Sequence, residues 1–266
     1  MIETHCHLTF DTLLAQIDQV LARATAAGVD RLITVSTTPQ DAEAAHQLAD
    51  CDRRIFTTAG VHPHEAANWT DRSELDAYLR RYAGHDRLVA LGEMGLDAYY
   101  PDPPMDTQRR LLQWQLQVAS ELDRQLPVII HCREAADATL AILRNSRIDP
   151  ARFVFHCFTG SNHDLDQILA FGAMVSFTGI VTFGNARALA QSALRVPLDR
   201  LMIETDAPYL TPEPHRKVRP NEPCYLPCVA RFLADQRQTG ETAFIDAVDA
   251  NAVRFFRLPD AASRSG

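Results

Sequence analysis

The sequence predicts an α/β protein built as a single TIM (β/α)8 barrel, and three observations carry that prediction. Eight short apolar runs alternate with longer amphipathic segments from one end of the chain to the other. Ionisable residues, histidine above all, close most of those runs at their C-terminal ends. No Gly-x-Gly-x-x-Gly pattern follows any run, which argues against two doubly wound halves.

The first strand is expected over 2–7. A helix follows over 13–27, with Gly28 placed to end it. The β-branched run 31–36 (RLITVS) is the second strand, and Thr38 and Pro39 open a helix over 39–49. Strand 55–60 (IFTTAG) precedes helix 73–82. Strand 88–93 precedes a long helix over 107–124, and strand 127–131 a helix over 134–144. Strand 153–156 leads to a helix capped by Ser161 and ending near 171. Strand 174–177 is trailed by helix 186–194, and strand 201–204 is the eighth. Helices over 225–236 and 241–255 finish the chain. Short strands of the buried type, each separated by a helix, suit a parallel sheet covered on both faces. One domain over 1–258 is expected, with a loose tail over 259–266.

A hydrophobic content of 46% and a charged content of 23% in 266 residues fit a soluble protein with a large core. The net charge of −8 excludes a broad basic surface for coating nucleic acid. It leaves room for a nucleic-acid end held in a locally positive cleft. There is no basic N-terminal stretch before an apolar run, and no run of about 18 apolar residues. A cytoplasmic protein with no membrane association is therefore expected, monomeric by default. The six cysteines show no Cys-x-x-Cys pairing and read as reduced thiols.

The chemistry sits at the strand ends. The first strand ends in His5 and His7, the third runs into His62 and His64, and the fourth reaches Glu93 and Asp97. The fifth ends in His131 and Arg133, the sixth in His156, and the eighth in Glu204 and Asp206. In a TIM barrel all these ends open on the face where active sites lie. So many buried ionisable groups would be costly without a partner, and a metal centre resolves that cost. Alternation on the strand turns His5 and His7 inward and Cys6 outward, and likewise places Cys132 and Cys157 on the packing side. The inward set is His5, His7, Glu93, His131, His156 and Asp206. Six protein donors exceed the three usual at one open catalytic ion, so two ions sharing a bridging carboxylate fit better. Glu93 is the natural bridge, with His5, His7 and Asp206 on one ion and His131 and His156 on the other.

The blocks THCHL, GVHPH, GEMGLD, VIIHCR, FHCFTG, GIVTF and ETDAPYL, followed by PHR and NEP, resemble the TatD family of metal-dependent hydrolases and deoxyribonucleases in order and spacing. The resemblance implies a TIM barrel with two divalent cations that hydrolyses phosphodiesters, often as a 3′-end exonuclease. It assigns the same six ligands. Departures are Glu3 and Thr9, where the family has aspartate, and one extra residue in the segment 215–223. Glu3, two before His5, is expected to support the site from behind. Asp206 and Glu93 are the expected catalytic groups, Asp206 as ligand and proton acceptor. His62, Arg133, His215 and Arg216 are the expected substrate contacts, Arg133 because its planar fork suits phosphate. Imidazole-rich donor sets suit Zn, Mn, Fe or Ni, whereas the resemblance implies activity with Mg. The expected substrate is a single-stranded DNA or RNA end. The alternative is amide or ester hydrolysis, such as removal of a D-aminoacyl group from tRNA. A related barrel for cyclic amides bridges its metals with a carboxylated lysine, and this chain has Glu93 at that strand instead.

Overall fold

Eight parallel strands are hydrogen-bonded in sequence order into one sheet: β1 (Ile2–Cys6), β2 (Arg31–Thr34), β3 (Ile55–Ala59), β4 (Leu88–Asp97), β5 (Val128–Arg133), β6 (Phe153–Phe155), β7 (Met174–Phe177) and β8 (Leu201–Ile203). The ring closes where the end of β8 meets β1. There Asp206 N donates to His5 O at 2.9 Å and His7 N to Ala207 O at 2.8 Å. This computed structural model describes residues 1–259, and its architecture is the expected barrel. From residue 260 onward the tail expected over 259–266 lies outside the described residues. Among the described residues no helix is long and apolar enough to cross a membrane.

The helices lie between the strands: α1 (Asp11–Leu14), α2 (Ile17–Ala26), α3 (Pro39–Cys51), α4 (Arg72–Ala83), α5 (Met105–Glu121), α6 (Ala136–Arg144), α7 (Asn162–Phe171), α8 (Arg187–Arg195), α9 (Leu226–Gln236) and α10 (Glu241–Phe256). The single helix expected over 13–27 is two, because the backbone of Gln16 leaves the helical region at φ −134°. Thr38 caps α3 by accepting from Asp41 N, and Ser161 and Asp164 form a reciprocal capping box on α7.

Two apolar layers divide the interior. One fills the space between strands and helices. The other occupies the N-terminal mouth of the barrel, where Ile33, Phe56, Val89, Ile129, Val154 and Met202 meet Phe255 and Phe256 of α10. Alternation then dictates what stands above that plug. Two residues beyond Ile129 and Val154 come His131 and His156, and two and four beyond Met202 come Glu204 and Asp206. Inward positions are apolar at one end and ionisable at the other.

The fourth strand departs most from expectation. It runs ten residues, to Asp97 rather than Glu93. Gly92 stands at φ 115°, and the Thr58 hydroxyl donates to its carbonyl. Glu93 N then donates to Ser36 O at 3.1 Å, beyond the end of β2 rather than on the neighbouring β3. The chain thus crosses the top of β3 toward the barrel axis. Gly60 makes that crossing sterically open, since a Cβ there would collide with the backbone of Gly92. Gly60→Ala is accordingly expected to destabilise the fold by about 1–3 kcal/mol. A lower midpoint in urea at unchanged slope is the measurement, and an unshifted midpoint would mean the crossing has slack.

Candidate metal centre

Glu93 is 2% exposed and stands between two groups of histidines. Its Oε2 faces His5 Nε2 at 3.4 Å and His7 Nε2 at 3.9 Å. Its Oε1 faces His156 Nε2 at 2.7 Å, His131 Nδ1 at 2.8 Å and His62 Nε2 at 3.5 Å. Asp206 Oδ1 completes the first side, 3.4 Å from His7 Nε2 and 3.8 Å from His5 Nε2. Three overlapping groups can hold an ion: His5, His7 and Asp206; His5, Glu93 and His156; and His62, Glu93 and His131.

The chemistry of the donor set fits divalent cations. Both ring nitrogens of His5 are buried with no hydrogen-bond partner among the described residues. A neutral imidazole so placed leaves a donor and an acceptor unmet, which a metal ligand does not. Burial works against ionising Glu93, but the adjacent His156 and His62 and the hydrogen bonds from His131 and His156 hold it well below the usual carboxylate range. Burial opposes ionisation of Asp206 too, and the His7 hydrogen bond and the charges of His5, His7 and His156 together outweigh it, so its pKa is lowered. Both carboxylates therefore stand as anions.

A surrounding tier fixes these rings. His7 Nδ1 pairs with Val35 O at 2.9 Å. His131 Nε2 pairs with Asp97 Oδ2 at 3.0 Å, and His64 Nε2 reaches the same oxygen at 3.1 Å. The other oxygen of Asp97 accepts from Tyr99 N at 2.9 Å and Tyr100 N at 3.3 Å. Asp97 thus ties a ring of the cluster to the loop after β4. His156 Nδ1 lies 3.4 Å from Glu204 Oε1, in ion-pair range but without hydrogen-bond geometry. Glu204 is itself held by Ser176 Oγ at 2.6 Å and Cys157 N at 2.7 Å. Asp206 (φ 55°) and Cys157 (φ 44°) both sit in the left-handed region, strain of the kind that gathers at functional sites.

Sequence reasoning brings His5, His7, Glu93, His131, His156 and Asp206 together, and the structure does so too. His62, expected at the substrate, stands within the cluster itself. Asp97 escaped notice as a positioning group because its partner lies 34 residues away on β5. Glu3 does stand behind the site, but it grips backbone rather than a ring: it accepts from His5 N at 3.1 Å and Thr205 N at 3.0 Å. Burial pushes its carboxyl up to about 8 against those hydrogen bonds. Thr9 donates to Asp41 of the neighbouring helix.

The centre opens into a cleft of about 1460 Å³. Eight carboxylates and a single guanidinium, that of Arg133, line it, so the protein surface here is acidic and not locally positive. His62 and Arg133 are in its wall; His215 and Arg216 are not. Arg216 stacks on Phe183 at 3.9 Å and His215 packs against Tyr225. The segment around them folds on itself, with Asn221 donating to Thr205 O and Tyr209 O. Tyr209 is 53% exposed.

Cys6 is buried, its thiol 3.5 Å from Ile33 O on the helix-facing side. Cys132 and Cys157 are less enclosed than expected: both are half-buried and touch the cleft, their thiols against Thr139 and Thr178. No cysteine enters the ion-holding groups among the described residues. Cys6→Ala should therefore leave divalent-metal uptake unchanged while lowering stability by about 1 kcal/mol. Calorimetric titration with Mn or Zn beside a melting curve checks both, and lost uptake would place the thiol in the site.

Residues 2–257 match the family model of TatD-related DNases. The chain is 39% identical to the 3′-5′ ssDNA/RNA exonuclease TatD of Pectobacterium carotovorum, over 97% of this chain and 100% of that protein. It is 37% identical to the uncharacterized metal-dependent hydrolase YcfH of Escherichia coli K12, over 97% and 96% of the two chains. Among solved structures, YjjV, a TatD homologue from E. coli K12, superposes with a TM-score of 0.90 at 29% identity, over 97% of this chain and 98% of that one. With barrel, donor cluster and relatives in agreement over almost its whole length, this chain belongs to the TatD-related DNase family of metal-dependent hydrolases.

Proposed function

We propose that the protein shortens single-stranded DNA or RNA from the 3′ end by phosphodiester hydrolysis with two divalent cations. The observation that carries the reading is the pair of Glu93 oxygens turned to two different sets of histidines. On this reading His5, His7 and Asp206 would hold one cation, and His131 and His156 would hold the other beside His62, with Glu93 available to both. Such cations supply Lewis acidity toward phosphoryl oxygens and lower the pKa of bound water.

The chain's own groups then have distinct tasks. Asp206, ionised and at the edge of the cleft, is placed to accept the proton of the attacking water. The guanidinium carbon of Arg133 lies over the Tyr99 ring, 3.7 Å from its centre, and a guanidinium stacked on an aromatic ring keeps its N–H edge for a phosphate. With acid all around it, Arg133 orients one phosphate and does not attract the polymer. His215 and Arg216, outside the cleft, are proposed only as contacts to more distant strand. The 3′-to-5′ direction rests on the relatives named as exonucleases.

The test is chelated protein with end-labelled single-stranded DNA and RNA, adding back Mg, Mn and Zn separately. Stepwise shortening with at least one cation is expected, and Asp206→Asn should cut kcat by about 10²- to 10⁴-fold. No shortening with any of the three would sink the proposal. Asp97→Asn should loosen metal binding by about 10- to 100-fold through His131. Competition with a chromophoric chelator reads that directly, and unchanged affinity would make Asp97 a loop anchor only.

A further inference from the structure

Among the described residues, the large hydrophobic side chains that stay exposed are Leu14, Tyr99, Tyr100, Tyr209 and Val218. All three aromatic ones stand at or beside the cleft over the metal centre. Tyr209 and Tyr100 line it directly. They come from different parts of the barrel, the loop after β8 and the loop after β4.

Each stands on a ladder of rings that climbs from the cluster. On one side Phe10 stacks on His7 with centroids 4.7 Å apart, and Tyr209 meets Phe10 edge-on at 6.2 Å. On the other side His64, hydrogen-bonded to Asp97, meets Tyr100 edge-on at 5.1 Å. Tyr100 in turn meets Tyr99, whose face carries Arg133. Both outer rings are held in place from below or beside. Asp97 accepts from the Tyr100 backbone, and Asn221 donates to the Tyr209 carbonyl. Tyr209 is 53% exposed and Tyr100 is 47% exposed, so each keeps much of its surface open.

Held, exposed rings on two sides of an acidic, metal-holding cleft suit a ligand that combines phosphate with flat, uncharged π surfaces. Building on the phosphodiester reading, we propose that Tyr209 and Tyr100 are stacking stations for the two nucleobases flanking the scissile phosphate. Stacking uses the face that every base has, so the stations tolerate any sequence. A base in a duplex has its faces covered by its neighbours, so the same stations favour a strand end whose bases can splay apart. Arg133, beside Tyr100, holds the phosphate between them.

The test couples a missing ring to a missing base. Single strands carrying one tetrahydrofuran abasic site, at the terminal or the penultimate position, are compared with the intact strand. Wild type, Tyr209→Ala, Tyr209→Phe, Tyr100→Ala and Tyr100→Phe are assayed on each. On the intact strand each alanine variant should lose about tenfold in kcat/KM, while the phenylalanine variants keep theirs. On the strand abasic at the position that station serves, the alanine variant should match wild type. Alanine variants within twofold of wild type on the intact strand would overturn the inference. So would equal losses on intact and abasic strands, which would show that the rings act without touching a base. Wild type cleaving intact and abasic strands equally removes the inference alone. Cleavage of neither strand with any cation removes the phosphodiester reading and this inference together.

Discussion

The structure turns on one carboxylate held where carboxylates are hardest to hold. Glu93 is buried near the barrel axis, and stripping water from an anion there costs several kcal/mol unless positive charge and hydrogen bonds replace it. His5 and His7 approach from β1 and its end, His62 from beyond β3, His131 from β5 and His156 from beyond β6. That convergence requires the backbone at Glu93 to leave its own place in the sheet. The glycine pair at 60 and 92 opens the route, and the hydrogen bond from Glu93 N to Ser36 O fixes where it ends. The Glu93 carboxylate is then a spacer with a donor atom on each side, and two sets of imidazoles follow from it.

The cleft above the centre has a charge that makes sense only with cations in place. Its lining is dominated by carboxylates, and the chain as a whole is at −8. Alone, such a surface repels a polyanion. Bound divalent ions become the largest local charges and reverse that sign over a few ångströms. Attraction is then confined to the point of chemistry, whereas a basic groove would hold a strand along its length. An enzyme built this way gains by gripping a strand end through something other than charge, and the exposed rings at the mouth offer such a contact.

Most of the frame was legible in the sequence, because alternation and apolar runs are local signals. The parity of His5 and His7 around Cys6, and the histidines closing β5 and β6, could be read without knowing any contact. What escaped depends on how the loops fold. His62 follows Ala59 through a turn before Pro63, so no strand parity tells where its ring points. Asp97 read as a strand-end acid, but its role appears only once β4 is seen to continue four residues beyond Glu93 and pair with β5. Cys132 follows parity, with its thiol against Thr139 of α6, yet it still touches the cleft; Cys157 lies beyond β6 in the left-handed region, where strand parity no longer sets its direction. The basic stretch around His215 and Arg216 looked like a phosphate grip from composition. Its arginines are instead engaged locally, Arg219 with Thr211 Oγ1 and Val218 O, and Arg216 with Phe183.

Closure of the barrel and assembly of the site are one event. β1 and the end of β8 are about two hundred residues apart in sequence, yet His5 O and Asp206 N share the bond that seals the ring. Glu3 reinforces the seam by accepting from Thr205 N on one side and His5 N on the other. Asp206 occupies its left-handed conformation at that same seam. His5 and Asp206 therefore come within reach of one another only when the last strand has docked on the first. Pairing so distant in sequence forms late, because the entropy of closing the intervening loop must be overcome first. A partly formed barrel can bring together Glu93 on β4, His131 on β5 and His156 just beyond β6. It cannot hold the group that includes Asp206, so the proposed proton acceptor is positioned only in the closed ring.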